Sequence, residues 1–457
     1  MDTETLLAIV ETLLDVTQSK EAIMEALIEH DGDPEAAARY LTRKSRPTEK
    51  KRPRADLTGW LKPSSAKKLK PSISDPQLET TPVASTSRAR LPEGETKPVV
   101  DLMTILKQPP KPEKTAPKLP PLMLSTPEHV AEHTPCTLHP SILPPELACR
   151  LFYAMVDLSR RWNRNKWWLF DRIVESPHRT SFFARAVAAV DGSAADQADN
   201  AQWQESARAW YNGRIAETPA LFPPEMEEAC TIIERVVNEE IKKRIRFPLE
   251  WDGGSGDDPA WRANVAASNC YEGGKESVGF HSDQLTCLGP YPTIASLSLG
   301  TRRVFSLREV IPSDEAKSRR ARTFNVPLPH NSLTIMHASC QERFKHSIPP
   351  QPALDMYRPA FPRMPGGDIE SSNCRINITF RFYRPDFLPA SVPRCKCNVP
   401  TILRPDMKNR VDGKTDRYWW TCYAGAQNEG KGCNLWQTMD MKKEGRGPVV
   451  ADRLSAL

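Results

Sequence analysis

From about residue 262 the chain breaks into short alternating segments, a pattern that argues against a parallel sheet for its middle. Asn264-Val-Ala, Thr293-Ile-Ala-Ser-Leu-Ser-Leu, Arg303-Val-Phe-Ser-Leu, Ser332-Leu-Thr-Ile-Met and Ile376-Asn-Ile-Thr-Phe-Arg-Phe are separated by turn residues, as in a sandwich or barrel. Helical patterns come earlier. Leu143-Pro-Pro-Glu-Leu-Ala opens one helix that reaches about Arg161. Pro223-Pro224 opens another, with Ile232, Ile233, Val236, Val237 and Ile241 on one side. Helices first and strands later predict an α+β jelly roll backed by helices.

The strands carry chemistry. Alternate residues of a strand share a face, so His281 and Asp283 point the same way. A second histidine would complete two imidazoles and one carboxylate, a set that holds a transition metal on one side and leaves the other open. His337, directly after the apolar run Leu333-Thr-Ile-Met336, and His346 both qualify. Further on, Arg375, Asn377 and Arg381 fall on one face of one strand. The planar fork of arginine pairs with a carboxylate through two parallel hydrogen bonds, as a 2-oxoacid cosubstrate requires.

Asn269-Cys-Tyr271, Gly279-Phe-His281-Ser-Asp283, Ile294-Ala-Ser-Leu-Ser-Leu-Gly300, Phe344-Lys-His346-Ser-Ile-Pro and Arg375-x-Asn377-x-Thr379-x-Arg381 occur in that order. With these motifs, residues 138–388 resemble the AlkB family of Fe(II)- and 2-oxoglutarate-dependent dioxygenases, which remove alkyl groups from nucleic-acid bases. The resemblance implies a double-stranded β-helix core, with His281, Asp283 and His346 on the iron. It places Asn269, Tyr271, Arg375, Asn377 and Arg381 around 2-oxoglutarate. Pro177-His-Arg179-Thr180 with Phe182-Phe183 is similar to the segment that helps cover the base pocket, which puts Arg179 and Phe183 against nucleic acid. The implied reaction couples decarboxylation of 2-oxoglutarate to hydroxylation of an N-linked alkyl group. The implied substrate is alkylated DNA or RNA, single-stranded or with the base flipped out of the stack.

Three departures bear on substrate choice. Repair members of the family carry acidic residues just after the H-x-D, and this chain has Gln284-Leu285. Pro349 to Ser372 reads as an inserted loop. The segment 184–222, with Trp203, Trp210 and Tyr211, is also unusual, and either insert could shape the nucleic-acid groove.

The flanks differ in kind. Residues 1–42 hold 10 acids against 2 bases, with apolar residues at helical spacing and Asp33-Pro34 opening a third short helix. They resemble CUE/UBA three-helix modules, which implies ubiquitin as a partner, although Thr12-Leu13-Leu14 stands where such modules carry Met-Phe-Pro. Residues 43–125 are expected to be a disordered basic linker. Between 43 and 120 there are 18 bases against 8 acids, and Lys50-Lys51-Arg52-Pro53-Arg54 and Lys67-Lys68-Leu69-Lys70 suit nuclear-import or nucleic-acid patches, or a solvated basic spacer. A nuclear location is the expectation. An acidic N-terminus without a charged-then-apolar leader is unlike a secretory signal, and the absence of a long apolar run predicts no membrane span.

Residues 126–390 are assigned to the oxygenase domain, 391–440 to a metal-binding module and 441–457 to a tail. Of the 11 cysteines, Cys395, Cys397, Cys422 and Cys433 cluster at the spacing of a structural zinc site. With Arg417-Tyr418-Trp419-Trp420 before Cys422 and Trp436 after Cys433, residues 394–438 resemble the GRF-type zinc finger. Lys396 and Arg417 would neutralise phosphates, and Trp419 and Trp420 would offer stacking platforms to a single strand. One of the two tryptophans is expected in the small core of the finger. The main reading is therefore an oxidative demethylase of alkylated bases. The rival is a non-catalytic adaptor that links ubiquitin to single-stranded nucleic acid.

Overall fold

The structure, a computed structural model, describes residues 119–169, 172–186, 218–252, 261–316, 318–410 and 417–454. It also describes 210–211 and 214–215 and, nearer the N-terminus, 10, 14, 18–19, 22–23, 26–27 and 34–44. The chain divides into two units, Met1–Thr115 and Ala116–Leu457. In the first, helix α1 (Pro34–Lys44) buries Ala37, Ala38 and Leu41, and Val10, Ile23, Ala26 and Leu27 are buried as well. The rest of the predicted three-helix module, and the linker through residue 118, lie outside the described residues.

The second unit opens with β1 (Leu122–Met123) and helix α2 (Pro127–His133), which Thr126 caps by accepting from the His129 amide. Next come β2 (Cys136–Pro140), α3 (Pro145–Ser159), β3 (Asn163–Leu169) and β4 (Arg172–Ala184). The short strands β5 (Trp210–Tyr211), β6 (Arg214–Ile215) and β7 (Ala220–Leu221) precede α4 (Pro224–Lys242). The strand-rich region then holds β8 (Val265–Glu272), β9 (Val278–His281), β10 (Ile294–Gly300), β11 (Arg303–Glu309), β12 (Thr323–Leu328) and β13 (Ser332–Met336). A single turn, α5 (Cys340–Arg343), leads to β14 (Phe344–Ile348) and β15 (Cys374–Arg381). The C-terminal part contributes β16 (Ile402–Pro405), β17 (Tyr418–Thr421), β18 (Trp436–Thr438) and α6 (Val450–Leu454).

An eight-stranded sheet runs β2-β13-β10-β15-β8-β4-β3 with β7 beside β4, and a five-stranded sheet runs β1-β12-β11-β14-β9. Pairing is antiparallel except at β1–β12 and β4–β7. This mixed α+β arrangement is consistent with a 2OG-oxygenase jelly-roll core. Strand alternation explains why the larger sheet has two useful faces. In β15, Cys374, Ile376, Ile378 and Phe380 pack in one apolar cluster with Leu147, Phe152, Met155, Met226, Ile233 and Val237 of α3 and α4. The intervening Arg375, Asn377, Thr379 and Arg381 face the other way, toward the second sheet. A side chain on either face is buried, so β15 is covered along nearly its whole length. Among the described residues no helix is long and apolar enough to cross a membrane.

Three expected boundaries shift. Leu122 and Met123, inside the expected linker, pair with Phe324 and Asn325. Leu403, Tyr418, Trp420 and Met439 share one core with Leu285, Leu288, Phe305 and Phe387, so the module after residue 390 is fused to the two large sheets. The expected tail folds back. Arg446 stands 4.2 Å over the Phe387 ring, and Val449 bridges to Trp251. The apolar surface of these late segments was too sparse to bury alone, and docking on the larger core removes it from water.

Candidate active site

His281 of β9 stands opposite His346 of β14 in the antiparallel register, so both rings project to one face, with centroids 4.3 Å apart. Asp283 turns in just beyond β9. Its Oδ1 lies 3.8 Å from His281 Nε2 and 3.7 Å from His346 Nε2. Two ligand bonds of about 2.1 Å span about 4 Å, so one cation fits among the three atoms. The other oxygen, Oδ2, accepts from Arg381 Nη2 at 2.7 Å and Nε at 3.2 Å. His281 Nδ1 meets the Gly279 carbonyl at 2.9 Å, which places the N–H there and leaves Nε2 to bind a metal. The Asp283 amide donates to Gln341 Oε1 at 2.8 Å, fixing the turn.

The protonation states suit a divalent ion. Burial opposes charge on Asp283, but Arg381, His346 and His281 outweigh it and hold the carboxyl far below its ordinary range. Burial, with His281 alongside, pushes His346 down to about 3, so its imidazole is neutral. Neutral imidazoles and an ionised carboxylate are the forms that bind metal. The donor set is that of a facial two-histidine, one-carboxylate iron site, and the residues fit it. His337 is elsewhere. It is buried, with Nε2 3.0 Å from Thr137 Oγ1, and takes no part in the triad.

The polar floor beside the triad follows from register. Asn377 lies between Asn269 of β8 and Ser298 of β10, and Arg375 lies between Tyr271 and Gly300. Arg375 is fully buried. Its Nη2 donates to Ser298 Oγ at 2.9 Å and Asn377 Oδ1 at 2.7 Å, while Nε and Nη1 have no hydrogen-bond partner among the described residues. Burial brings its pKa down to about 10, so it stays charged at neutral pH. A buried cation with orphaned donors is costly unless an anion meets it, and a carboxylate does so with two bonds. Asn269, Tyr271, Asn377 and Arg381 line a cavity of about 1180 Å³ that also contains the triad, and Arg375 sits one side chain behind its wall. The five predicted 2-oxoglutarate residues are therefore gathered in one place.

The nucleic-acid assignments need correction. Along β4, Ser176, His178, Thr180 and Phe182 line the cavity, and Arg179 and Phe183 face the opposite way. Arg179 pairs with Glu272 at 2.7 Å and donates to the Ser159 carbonyl at 3.1 Å. Phe183 is 1% exposed and packs with the helices. A one-residue error of parity reverses the face of every side chain in a strand. His178, which sequence reasoning passed over, stacks on Tyr271 with centroids 4.9 Å apart and is pushed down to about 4 by burial. Its position two residues before Thr180 was the available signal.

Gln284 lines the cavity where repair proteins carry an acid, and Leu285 is a core residue. The inserted loop lies against α3. Tyr153 Oη donates to the Phe361 carbonyl at 2.8 Å, Arg363 stacks over the Tyr153 ring at 4.9 Å, and none of residues 349–372 lines the cavity. Residues 187–209 of the other insert lie outside the described residues.

The Sγ atoms of Cys395, Cys397, Cys422 and Cys433 lie within 4.8 Å of one another. Tetrahedral metal–sulfur bonds of about 2.3 Å put sulfurs about 3.8 Å apart, so the cluster fits such an ion. Desolvation opposes ionisation of Cys433, but the Leu435 and Lys396 amides and Cys422 outweigh it and bring the thiol down to about 6. Trp420 is fully buried, which withdraws it from the predicted nucleic-acid contacts. Trp419 packs on Trp436 with centroids 4.1 Å apart, and Lys396 and Arg417 are exposed. Sequence reasoning missed that Arg394, Pro400 to Pro405, Met407 and Tyr423 line the same cavity as the triad.

Two imidazoles and a carboxylate lie between the two large sheets with a buried arginine nearby, a donor set that suits an iron site served by a 2-oxoacid. The sequence model of the 2OG-Fe(II) oxygenase superfamily matches residues 164–381. More particularly, the relatives are AlkB proteins. Alpha-ketoglutarate-dependent dioxygenase alkB homolog 3 of Mus musculus is 33% identical over 132 residues, 29% of this chain and 40% of that protein. DNA oxidative demethylase ALKBH2 of Arabidopsis thaliana is 29% identical over 138 residues, 27% of this chain and 38% of that protein. Human ALKBH2 is 34% identical over 86 residues, 19% and 33% of the two chains. The chain thus spans two fifths or less of the length of these relatives. The middle of the chain is similar to the 2OG-Fe(II) oxygenase superfamily and to AlkB proteins, a family that implies Fe(II) and 2-oxoglutarate.

Proposed function

We propose that the protein is an oxidative demethylase of alkylated bases in DNA or RNA, dependent on Fe(II) and 2-oxoglutarate. The observation that carries this reading is the division of Asp283, with Oδ1 aimed at both imidazoles and Oδ2 held by Arg381. Iron and 2-oxoglutarate, when bound, would let dioxygen hydroxylate an N-alkyl carbon, one oxygen atom going to that carbon and the other to the succinate formed with loss of CO2, after which the adduct breaks down to an aldehyde and the plain base. The chain does the rest. His281, Asp283 and His346 hold the ion. Arg375 receives a carboxylate of the cosubstrate, and Asn269 and Tyr271 shape the slot around it. The His178–Tyr271 stack and Phe182 give the cavity flat apolar surfaces on which a base can lie. A base inside a duplex cannot reach this depth, so it must be single-stranded or flipped.

The adaptor alternative requires none of this arrangement, because a binding scaffold has no use for a buried guanidinium with two unpartnered nitrogens beside three ligand atoms. An anaerobic titration separates the two. The demethylase gives a visible metal-to-cosubstrate absorption band without oxygen and, once dioxygen is admitted, succinate in step with demethylation of methylated DNA or RNA oligonucleotides by mass spectrometry. Neither band nor succinate would leave the adaptor standing.

The same proposal assigns zinc to Cys395, Cys397, Cys422 and Cys433, checked by metal analysis of the purified chain. On sequence grounds it keeps ubiquitin docking for residues 1–42 and a nuclear location for the basic runs. Titration of the full chain with ubiquitin, and imaging of a chain with Lys50-Lys51-Arg52 neutralised, test these two.

A further inference from the structure

The four-cysteine module is attached where the iron ligands are. The Leu285 amide donates to the Leu403 carbonyl at 3.3 Å, and the Leu403 amide to Thr286 Oγ1 at 3.2 Å, both just beyond Asp283. Tyr418 Oη donates to Glu342 Oε1 at 3.2 Å and Arg410 Nη1 to the Glu342 carbonyl at 2.8 Å, one turn before His346. The module is thereby anchored to both ligand-bearing segments. In its sheet, Ile402, Thr421 and Trp436 are in register, as are Arg404, Trp419 and Thr438. Paired residues and residues two apart share a face, so Arg404, Trp419 and Trp436 lie together, opposite the buried Leu403 and Trp420. Trp436 is 58% exposed. Arg404 reaches over the Tyr423 ring at 5.6 Å, and both line the cavity that holds the triad. The aromatic face therefore continues into the mouth of the active site. Charge runs the same way. Lys345, Arg394 and Arg404 line the cavity, and Asp283, its one carboxylate among the described residues, is already paired with Arg381. On the other side, the β3–β4 hairpin meets the module through Gln427 Nε2 and the Lys166 carbonyl at 3.4 Å.

We propose that the four-cysteine module is a wall of the catalytic groove, and that Trp436, Trp419, Arg404 and Tyr423 form a track delivering single-stranded nucleic acid to the triad. The proposal rests on the demethylase reading for its choice of substrate. Aromatic faces accept any base, and the arginine neutralises a phosphate between them. Two strand spacings of about 4.8 Å and two residues along the strand separate Trp436 from Arg404, so the track is about 12 Å long and serves nucleotides next to the target. The module acts as part of the active site, not as a distant tether.

The test is binding of a fluorescent single strand of about 12 nucleotides to the full chain, followed by anisotropy at several salt concentrations. Arg404→Ala and Trp436→Ala, both at exposed positions, each weaken binding about tenfold, and Arg404→Ala lowers the salt slope by about 0.7. In the wild type, KM for methylated oligonucleotides falls as they lengthen, and in the double variant this gain is lost. No binding by the wild type, or wild-type affinity and slope in both variants, overturns the proposal. The demethylase reading fails on a separate result: a wild type that binds the strand and forms no succinate from any methylated oligonucleotide.

Discussion

Asp283 serves two masters through two atoms. Oδ1 faces the imidazoles, and Oδ2 is fixed by the Arg381 fork. Arg381→Ala should therefore loosen the metal as well as the cosubstrate. A loss of about 10–100-fold in iron affinity is expected, read by Fe(II) titration without 2-oxoglutarate, as for other partners that orient a ligand. Unchanged affinity would confine Arg381 to the cosubstrate. Neighbouring phenylalanines give a sharper contrast. Phe183→Ala should cost about 3–5 kcal/mol of stability, because it empties a site in the helix-backed core. Phe182→Ala should leave the denaturation midpoint nearly unmoved and raise KM for the nucleic acid, because Phe182 lines the cavity. Denaturant melts and steady-state kinetics on both variants decide the parity of the strand. The candidate ligand set was readable from H-x-D and a later histidine, with His346 preferred over His337 only through the family resemblance, and the structure brings His281, Asp283 and His346 together. The parity of Pro177 to Phe183 was not, because every residue there is compatible with either face.

At the scale of elements, register does the positioning. β8, β10 and β15 place polar side chains in adjacent rows on the inner face and apolar ones against α3 and α4. The turn that ends β10 holds this register. Gly300 has φ +87°, and a Cβ there would come 2.3 Å from the Cys374 carbonyl oxygen and 2.6 Å from the Phe152 ring. Gly300→Ala should lose about 2–4 kcal/mol in urea unfolding, since both the left-handed backbone and the contact oppose a methyl group. An unchanged midpoint would mean that the turn relaxes freely. The alternation of Ile376 to Phe382 foretold an antiparallel strand. The strand's neighbours were not foretold, because they come from more than 70 residues away in sequence.

Within the second unit, one core joins the two large sheets to the cysteine module. Trp420, with its Nε1 donating to Glu444 Oε2 at 3.0 Å, packs beside Phe387. Trp420→Ala should cost about 3–5 kcal/mol and lower one shared transition. Two separated transitions, with the oxygenase melting as in the wild type, would contradict a common core. Acid should destabilise the unit too. His178, His330 and His337 are each pushed down to about 4, in every case chiefly by burial. An unfolded histidine titrates near 6.5. Between those values the unfolded state binds more protons, so this stability is full above about pH 6.5 and is lost as pH falls through about 4. Urea midpoints measured across that range should decline, and a flat profile would refute the assignment.

The sequence by itself determined the donor atoms, the strand period and the four thiols, because each is a property of residues close together or of residue chemistry alone. Only the tertiary structure decided which face of β4 meets the cavity, that Trp420 is core while Trp419 is not, that residues 349–372 lie away from the site, and that the C-terminal module helps to wall it. Those outcomes depend on which distant surfaces bury one another. Local periodicity says that a face is apolar, but the identity of the surface that covers it is settled by packing between segments far apart in the chain.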